Sequence, residues 1–569
     1  MFERTALPDG PRVISARLPG SRSVSIAAYV LAGSRLETPD DAGVAHFMEH
    51  ITFKGTAAYP SSRAISEAIE GVGGSFNAAT DRESTVYWVR VPRREVERAT
   101  SVLGELIVRP ILDEREIDQE RSVIIEEIRS YLDDPAEYSQ ILFQRAMFGT
   151  GPLGREICGD EAGIRALPEE RIRDFWRATY RPANTVVAVA GDIGHEEAVG
   201  LARTAFGTGN GALPGWAPAP ALPAGERILV GARRDATQAQ LVLGVPALPR
   251  DDPDTWTLAL LNGVLGDGMS SRLFLAVRED RRLAYDISSG VVEYADAGVL
   301  EISAGVDPAN LPLALGAIID ELARLRDQLV SDEELAKAKA YLSGGLELRL
   351  DETRFLAAWI GGQEALHDRV LTLDEALAAV AAVDAEGIRR LARRLFRDEL
   401  LRMAVVAPPR HVRGRDRHHR RAAGEGTHRD RRPAGRPKAR LGSTPPCRRG
   451  DRSASREAPP PDGPPRAGPR RARGPRGSRG PRPGGSPRPR RGTLADGRSD
   501  RCRRGRPGAP RRGRRLDRRA GHRRRGDGGG WPSRRGPSAG RAGTREVRFV
   551  PRADLRRDAT QPDLAGRPV

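Results

Sequence analysis

Two histidines and a glutamate stand close together near the N-terminus, in the segment His46-Phe-Met-Glu49-His50. If this segment is helical, residues three and four positions apart share one face, so two imidazoles and a carboxylate project together. Imidazoles and carboxylates are ligands that zinc accepts in proteins. The neighbouring positions are apolar, and burying three polar groups among them is costly unless a metal and a water satisfy them. The pattern therefore predicts a metal site, the alternative being two histidines that are satisfied within a protein core.

A catalytic zinc has three protein ligands and an open position, so a third ligand must come from elsewhere in the chain. The best supplier is the stretch 113–131, in which apolar residues recur at helical spacing. Glu120 and Glu127 lie on this apolar stripe, whereas Glu126 lies on the polar side. Because a carboxylate on a buried face needs a partner, we predict Glu127 as the third ligand and Glu120 as a group that supports the ligands. The alternative is two solvated carboxylates on a misassigned helix face.

At these residues the sequence resembles the pitrilysin-type zinc metallopeptidases, which carry an inverted His-x-x-Glu-His motif and include mitochondrial processing peptidase and insulin-degrading enzyme. In that family the motif is followed by 76 residues and a glutamate, with another glutamate seven residues earlier. Here residues 51–126 make up those 76, so that Glu127 and Glu120 stand at both positions. The sequence Val-Ile-Ile-Glu-Glu-Ile at 123–128 is also similar to short bacterial members.

The resemblance implies one zinc ion per chain, held by His46, His50 and Glu127. Glu49, one residue before a ligand, can reach a zinc-bound water as general base. The implied fold is α+β, with two homologous αβ-sandwich domains that form half of a clamshell. It also implies a homodimer or pairing with a related subunit.

Two further stretches resemble family signatures. Residues 73–87 resemble an edge strand whose backbone pairs with an extended substrate, which assigns substrate binding to Asn77 and Ala78. On the residues alone, an ordinary hairpin is the favoured interpretation of this stretch.

The second stretch, residues 268–285, resembles an Arg/Tyr signature, which implies that Arg278 and Tyr285 bind substrate and stabilise the oxyanion. Without the resemblance, these two residues read as a solvated arginine and a tyrosine at the edge of a core. Asp267 and Arg282 stand where the family usually has glycine, which puts the local turn geometry in question.

The elements that position these residues are predicted from periodicity and from Gly and Pro boundaries. In the first unit, strands are predicted at 11–18, 24–31, 75–80, 84–91 and 185–191, with helices around His46 and at 61–71, 93–108, 114–132, 135–147, 168–180 and 195–206. In the second unit, strands are predicted at 227–231, 239–245, 286–293, 298–306 and 400–407, with helices at 254–265, 271–280 and through 310–395. The shared order of elements suggests a diverged internal repeat.

Three regions follow from this pattern. We predict a catalytic zinc-binding αβ domain over 1–210 and a second αβ domain without zinc ligands over 211–410, which completes the site. A Gly-, Pro- and Ala-rich linker at 207–225 separates them. A disordered tail is predicted over 411–569.

The net charge of +18 hides two regions of opposite sign. Residues 411–569 hold 48 Lys and Arg against 14 Asp and Glu, so 46 of the 94 basic and 62 of the 76 acidic residues remain for 1–410. Leu, Ile, Val and Phe make up only 10 of the 159 tail residues, too few to build a core. The tail reads either as an Arg-rich arm that binds nucleic acid or, the interpretation we favour, as a frameshift or annotation artefact of GC-rich codons.

No segment indicates export or a membrane. The N-terminus lacks a basic segment followed by an apolar one, and no stretch approaches the roughly 18 apolar residues of a membrane span. The three cysteines are too few for a disulfide framework. We therefore expect a cytoplasmic protein without a membrane partner.

Taken together, the sequence predicts a zinc-dependent endopeptidase that hydrolyses peptides or unfolded protein segments. One alternative is a non-catalytic structural or regulatory subunit of the same fold, although such relatives usually lose a ligand or the base and this chain keeps all four. The other is a nucleic-acid-binding protein, which rests wholly on the tail.

Overall fold

The structure is a computed structural model, and it describes residues 2–209, 215–223, 226–233, 236–367 and 369–409. The predicted tail at 411–569 lies outside the described residues. Within them, no helix is both long and apolar enough to cross a bilayer.

The first half of the described chain forms a sheet flanked by helices. Its strands are β1 (Glu3–Ala6), β2 (Arg12–Arg17), β3 (Ser23–Val30), β4 (Ser75–Thr80), β5 (Thr85–Pro92) and β6 (Thr185–Gly191). Its helices are α1 (Val44–Thr52), α2 (Ser62–Glu70), α3 (Val96–Val108), α4 (Glu114–Asp133), α5 (Pro135–Phe148), α6 (Glu161–Ala166), α7 (Glu169–Thr179) and α8 (His195–Phe206). The strand order is β1-β2-β6-β3-β5-β4, with β2 and β6 parallel and the other neighbours antiparallel. Strand β4 therefore lies at an edge.

The second half repeats this plan with a sheet in the order β7-β11-β8-β10-β9. Its strands are β7 (Ile228–Ala232), β8 (Ala239–Ala247), β9 (Ala284–Glu293), β10 (Gly298–Val306) and β11 (Arg402–Ala407). Its helices are α9 (Thr255–Leu265), α10 (Leu311–Asp327), α11 (Asp332–Leu350), α12 (Thr353–Leu366), α13 (Leu373–Ala382) and α14 (Ala385–Leu395). The α+β fold of two helix-packed sheets agrees with the prediction.

Both faces of the first sheet are buried. Successive side chains along a strand point to opposite faces, and on β3 both sets pack in a core. On β3, Val24 and Ile26 pack in the core that also holds Phe47 of α1. Ala27 and Tyr29 point the other way and pack in a separate cluster.

The helix that covers this second face comes from the other half of the chain. Leu356, Ala357 and Ile360 of α12 pack on residues of β2, β3 and β6. Conversely, Phe143 and Met147 of α5 pack with residues of β8, β10 and β11 in the second half. One helix from each half thus packs on the sheet of the other half. The burial of apolar side chains at these contacts holds the two halves together.

A buried ion network also joins the two halves. Glu83, in the turn between β4 and β5, accepts a hydrogen bond of 2.5 Å from Arg35 and another from Arg250. The Ala295 backbone N–H donates to the same carboxylate at 3.1 Å. All three charged side chains are buried, so removal of Glu83 would leave the Arg250 guanidinium without its carboxylate partner in the interior.

The elements depart from the sequence prediction in a few places. Strand β1 was not predicted, because four residues are too short to show a period. Helix α6 was also missed, and the long run predicted through 310–395 is divided into α10 to α14. The predicted helix at 271–280 contains a π-helical segment, Phe274–Glu279.

Candidate metal centre

Helix α1 carries His46, Glu49 and His50 on one buried face. It starts after Gly43, whose φ of 95° is a left-handed conformation that favours glycine. The Glu37 carboxylate accepts hydrogen bonds of 2.9 Å from the backbone N–H groups of Gly43 and Ala45. Burial raises the pKa of Glu37 to about 8, although these two hydrogen bonds oppose the rise. The start of the helix, and with it the position of His46, is fixed by this contact.

Glu127 of α4 reaches both imidazoles. Its Oε2 lies 3.3 Å from Nε2 of His50 and 3.8 Å from Nε2 of His46. The two imidazole ring centroids are 4.5 Å apart. With metal–ligand bonds of about 2.0–2.2 Å, two tetrahedral N and O ligands lie about 3.4 Å apart. The donor set and its spacing therefore fit a zinc ion.

The neighbouring carboxylate on the same helix points elsewhere. The Glu126 side chain is 70% exposed and pairs with Arg129, whereas the Glu127 side chain is 24% exposed. Tyr131, one turn along α4, donates a hydrogen bond to Oε1 of Glu127. Burial raises the pKa of Glu127, but the imidazoles and Tyr131 outweigh it and hold that pKa at about 2. This carboxylate is therefore an anion.

Glu120 of α4 contacts the far side of His50. Its Oε1 lies 2.8 Å from Nδ1 of His50, and its Oε2 lies 2.5 Å from Nζ of Lys54. An Nδ1–H that donates to Glu120 leaves Nε2, once it loses its proton, as the nitrogen that can bind a metal. Burial lowers the pKa of His50, but the carboxylates of Glu120 and Glu127 raise it to about 9 overall. The pocket therefore stabilises positive charge.

The third polar residue of α1, Glu49, is held from the first sheet. Thr80 at the end of β4 donates a hydrogen bond of 2.5 Å to Oε2 of Glu49. Burial raises the pKa of the Glu49 carboxyl, with His50 and Thr80 opposing the rise. Glu49 is thus a buried carboxyl with a fixed orientation beside the two imidazoles.

A cysteine also faces this pocket. The Sγ of Cys158, in the loop between α5 and α6, lies 3.8 Å from Nε2 of His46. Donor atoms of His46, Glu127 and Cys158 lie within 4.8 Å of one another, and His50 is not part of this group.

The structure places the other predicted residues in two further locations. Asn77 and Ala78 lie on the edge strand β4, where the Ala78 N–H donates to Oδ1 of Asn77 at 2.9 Å. Arg278 and Tyr285 lie in the second half, with the Arg278 guanidinium 5.8 Å from the centre of the Tyr285 ring and 4.6 Å from that of Phe274. Tyr285 is 76% exposed.

The two departures from the family's glycines have different consequences. Arg282 has a φ of 52°, in the left-handed region where glycine is favoured. Asp267 is not among the residues with positive φ, and its carboxyl interacts with Tyr341. Only the Arg282 substitution therefore carries a backbone cost.

Several residues of the site were not predicted. Lys54 is four residues after His50 and Tyr131 four residues after Glu127, so helical spacing could have indicated both. Thr80 and Cys158 are distant in sequence from α1 and carry no local signal. Their positions depend on the tertiary fold.

Comparison with known proteins identifies the family. Residues 12–161 match the sequence model described as insulinase, peptidase family M16, and residues 166–342 match the model described as peptidase M16 inactive domain. The two histidines, Glu49 and Glu127 lie in the first match, and the Arg278–Tyr285 segment lies in the second.

Relatives and solved structures agree over the same part of the chain. An uncharacterized zinc protease of Streptomyces coelicolor is 38% identical, over 68% of this chain and 86% of its own length. The uncharacterized zinc protease YmxG of Bacillus subtilis is 33% identical, over 72% and 98%. A crystal structure of a Helicobacter pylori protease superposes with a TM-score of 0.66 at 21% identity, covering 72% of this chain and 99% of that one, which supports the fold. The chain belongs to peptidase family M16, the insulinase family.

Proposed function

We propose that this chain is a zinc-dependent endopeptidase that hydrolyses peptides or unfolded protein segments. The observation that carries the proposal is the Glu127 carboxylate, which reaches the Nε2 atoms of both His46 and His50 from a different helix. Two imidazoles and one carboxylate leave a fourth position open, which is the arrangement of a catalytic rather than a structural zinc. The relatives named zinc proteases support the choice of metal.

His46, His50 and Glu127 would hold the zinc ion, which when bound supplies an acidified water and polarises a peptide carbonyl. Glu120 keeps His50 in the tautomer that presents Nε2, and Lys54 neutralises the second oxygen of Glu120.

Glu49 is the general base of this proposal. It accepts a proton from the water that attacks the peptide carbonyl and delivers that proton to the leaving amine. The hydrogen bond from the Thr80 hydroxyl to Oε2 holds this carboxyl in place.

Substrate contacts are proposed for both halves. The backbone of edge strand β4 at Asn77 and Ala78 would pair with an extended peptide, which would replace the hydrogen bond from the Ala78 N–H to Oδ1 of Asn77. Arg278 and Tyr285 would bind substrate and stabilise the oxyanion. The active assembly would be a homodimer or a pair with a related subunit.

The direct test is cleavage of a peptide blocked at both ends by the zinc-loaded full chain. We expect internal cleavage that a chelator abolishes and zinc restores. Glu49→Gln should lower kcat/KM by on the order of 10²- to 10⁴-fold with zinc content unchanged, whereas Glu126→Gln, on the exposed side of α4, should stay near the parent.

Two results would contradict the proposal. One is full activity in Glu49→Gln, and the other is a folded parent chain that binds no stoichiometric zinc. A zinc-loaded, folded parent that cleaves no peptide would instead favour the non-catalytic subunit of the same fold.

A further inference from the structure

The thiol of Cys158 belongs to the candidate metal centre by position. The residue is only 4% exposed, and its Sγ approaches Nε2 of His46, the same nitrogen that faces Glu127. Donor atoms of the three residues lie within 4.8 Å of one another. Thiolate sulfur is among the preferred ligands of zinc, and three donors of different kinds converge here.

The distances agree with a shared metal ion. Zinc–nitrogen and zinc–sulfur bonds of about 2.0 and 2.3 Å at a tetrahedral angle put the two donors about 3.5 Å apart. The Sγ of Cys158 is 3.8 Å from Nε2 of His46. This one separation is therefore within a few tenths of an ångström of that between two ligands of one ion.

The backbone brings the thiol to this place. Gly43, before α1, and Gly159, after Cys158, both have left-handed φ values of 95° and 73°. A Cβ on Gly43 would lie 2.7 Å from the Cys158 carbonyl oxygen, and one on Gly159 would lie 2.5 Å from that of Ala42. The two glycines thus let the loop press against the start of α1.

Two arginines anchor the same loop, Arg82 from the turn after β4 and Arg155 from within the loop. Arg82 donates a hydrogen bond of 2.8 Å to the Leu153 carbonyl, and Arg155 donates one of 2.5 Å to the Glu37 carbonyl. Glu37 in turn caps α1. Loop and helix are therefore held in register by contacts independent of the thiol.

This geometry is less consistent with a purely structural role of Cys158 in the core. Cys158 does pack with the apolar core, as buried cysteines often do. Yet a thiol that donates to Nε2 of His46 competes for the lone pair that a metal ligand needs. Once a metal engages that nitrogen, the sulfur must either ligate the ion or lose its contact with Nε2 of His46.

We propose that Cys158 is a fourth protein ligand of the metal held by His46, His50 and Glu127 in the peptide-free chain, an inference that rests on the proposed function. On ligation the thiol proton passes to solvent and a sulfur–metal bond forms. Four protein ligands close a zinc site, whereas hydrolysis needs an open position. For hydrolysis, entry of a peptide must therefore break the sulfur–metal bond, with the thiolate taking up a proton from solvent and leaving the position free for water.

The test uses the full chain loaded with Co²⁺, whose spectrum reports ligand type. The parent should show a thiolate-to-cobalt charge-transfer band in the near ultraviolet beside the d–d bands of bound cobalt. Cys158→Ala should lose the former and keep the latter, with metal affinity weaker by more than the roughly 10- to 100-fold that a supporting residue contributes. The tail offers a matched control, because a chain with Cys447→Ser and Cys502→Ser should keep the charge-transfer band.

The outcomes separate this inference from the proposed function. Failure to bind cobalt at all would remove the metal centre itself. Cobalt d–d bands without the charge-transfer band in the parent would overturn the role of Cys158 alone.

Two measurements on chains that retain Cys158 avoid the risk that Cys158→Ala misfolds. Zinc should slow the alkylation of Cys158 by iodoacetamide, measured by peptide mass spectrometry against the tail cysteines. Equal rates with and without zinc would contradict ligation. In Glu49→Gln, excess peptide should bleach the charge-transfer band; a band that persists with peptide bound would show that the thiolate does not occupy the position that substrate needs.

Discussion

The two halves of the described chain share one plan, yet they fill equivalent helices with different residues. In α1 all nine residues are buried, and they include His46, Glu49 and His50. In α9 the buried positions are Thr257, Leu258, Leu260, Leu261, Val264 and Leu265. The partner helices differ too, since α4 buries Glu120 while α11 buries only Ala338, Leu346 and Leu350.

On these helices, one copy of this repeated fold therefore buries a cluster of ionisable groups, and the other copy does not. Buried ionisable groups cost free energy unless they are paired or bind a metal. The first half meets that cost with reciprocal contacts between α1 and α4 and, on our proposal, with zinc. In the second half, the buried face of α9 carries leucines in place of these ionisable groups, so its apolar core needs no ligand.

The largest effect expected on this contrast comes from Glu127, the proposed third ligand. Glu127→Ala should weaken zinc binding by more than the roughly 10- to 100-fold that a supporting residue contributes, because a direct ligand is lost. Glu126→Ala, one position away but exposed, should bind zinc like the parent. Zinc titration with a competing chelator measures both, and equal affinities would show that α4 does not supply the ligand.

The zinc motif was the most predictable part of the site. His46, Glu49 and His50 are local, and Glu127 could be separated from Glu126 because helical periodicity assigns the two to different faces. Thr80 and Cys158 could not be predicted, since their approach to α1 depends on strand pairing and on the loop held by Gly43 and Gly159. A sequence shows which residues share a face, but not which distant segment packs against it.

A smaller effect is expected from the residue that supports the ligands. Glu120→Gln should weaken zinc binding on the order of 10- to 100-fold, because a neutral amide orients His50 less firmly and leaves Lys54 without its anion. Glu114→Gln, exposed at the start of α4, is the matched control. An affinity equal to the parent in Glu120→Gln would show that the tautomer of His50 is fixed by other contacts.

The sheet that each of α5 and α12 covers could not be predicted from the sequence either. Periodicity predicted helices over 135–147 and through 310–395, but an apolar stripe does not say which sheet it covers. Strand alternation on β3 indicates only that both faces are apolar. That α5 crosses to the second sheet and α12 to the first is decided by the tertiary fit.

The packing of α12 on the first sheet can be tested at two neighbouring glycines, of which only the first is in close contact with the sheet. A Cβ on Gly361 would lie 2.6 Å from Cβ of Ala188 and 2.7 Å from the Tyr29 ring, whereas one on Gly362 would meet only the Tyr29 hydroxyl at 3.6 Å. Gly361→Ala should therefore lower the free energy of unfolding by about 1–3 kcal/mol through overpacking. Gly362→Ala should raise it by about 0.5–1 kcal/mol, since alanine favours helix. Urea unfolding measures both, and the same sign for the two variants would contradict the close contact of α12 with the first sheet.

The smallest effect concerns the loop of the second half that carries Arg278 and Tyr285. Arg282 has a φ of 52°, and a left-handed conformation costs a residue with a side chain roughly 1–2 kcal/mol. Glycine removes this cost but adds about 0.4–1 kcal/mol of unfolded-state entropy. Arg282→Gly should therefore stabilise the chain by about 0.5–1 kcal/mol, the difference between these ranges. Arg281→Gly, at a position without positive φ, gains nothing to offset the entropy and should destabilise it. Urea unfolding of the two variants side by side tests the sign, and a loss of stability in both would mean that the arginine side chain contributes more than its backbone costs.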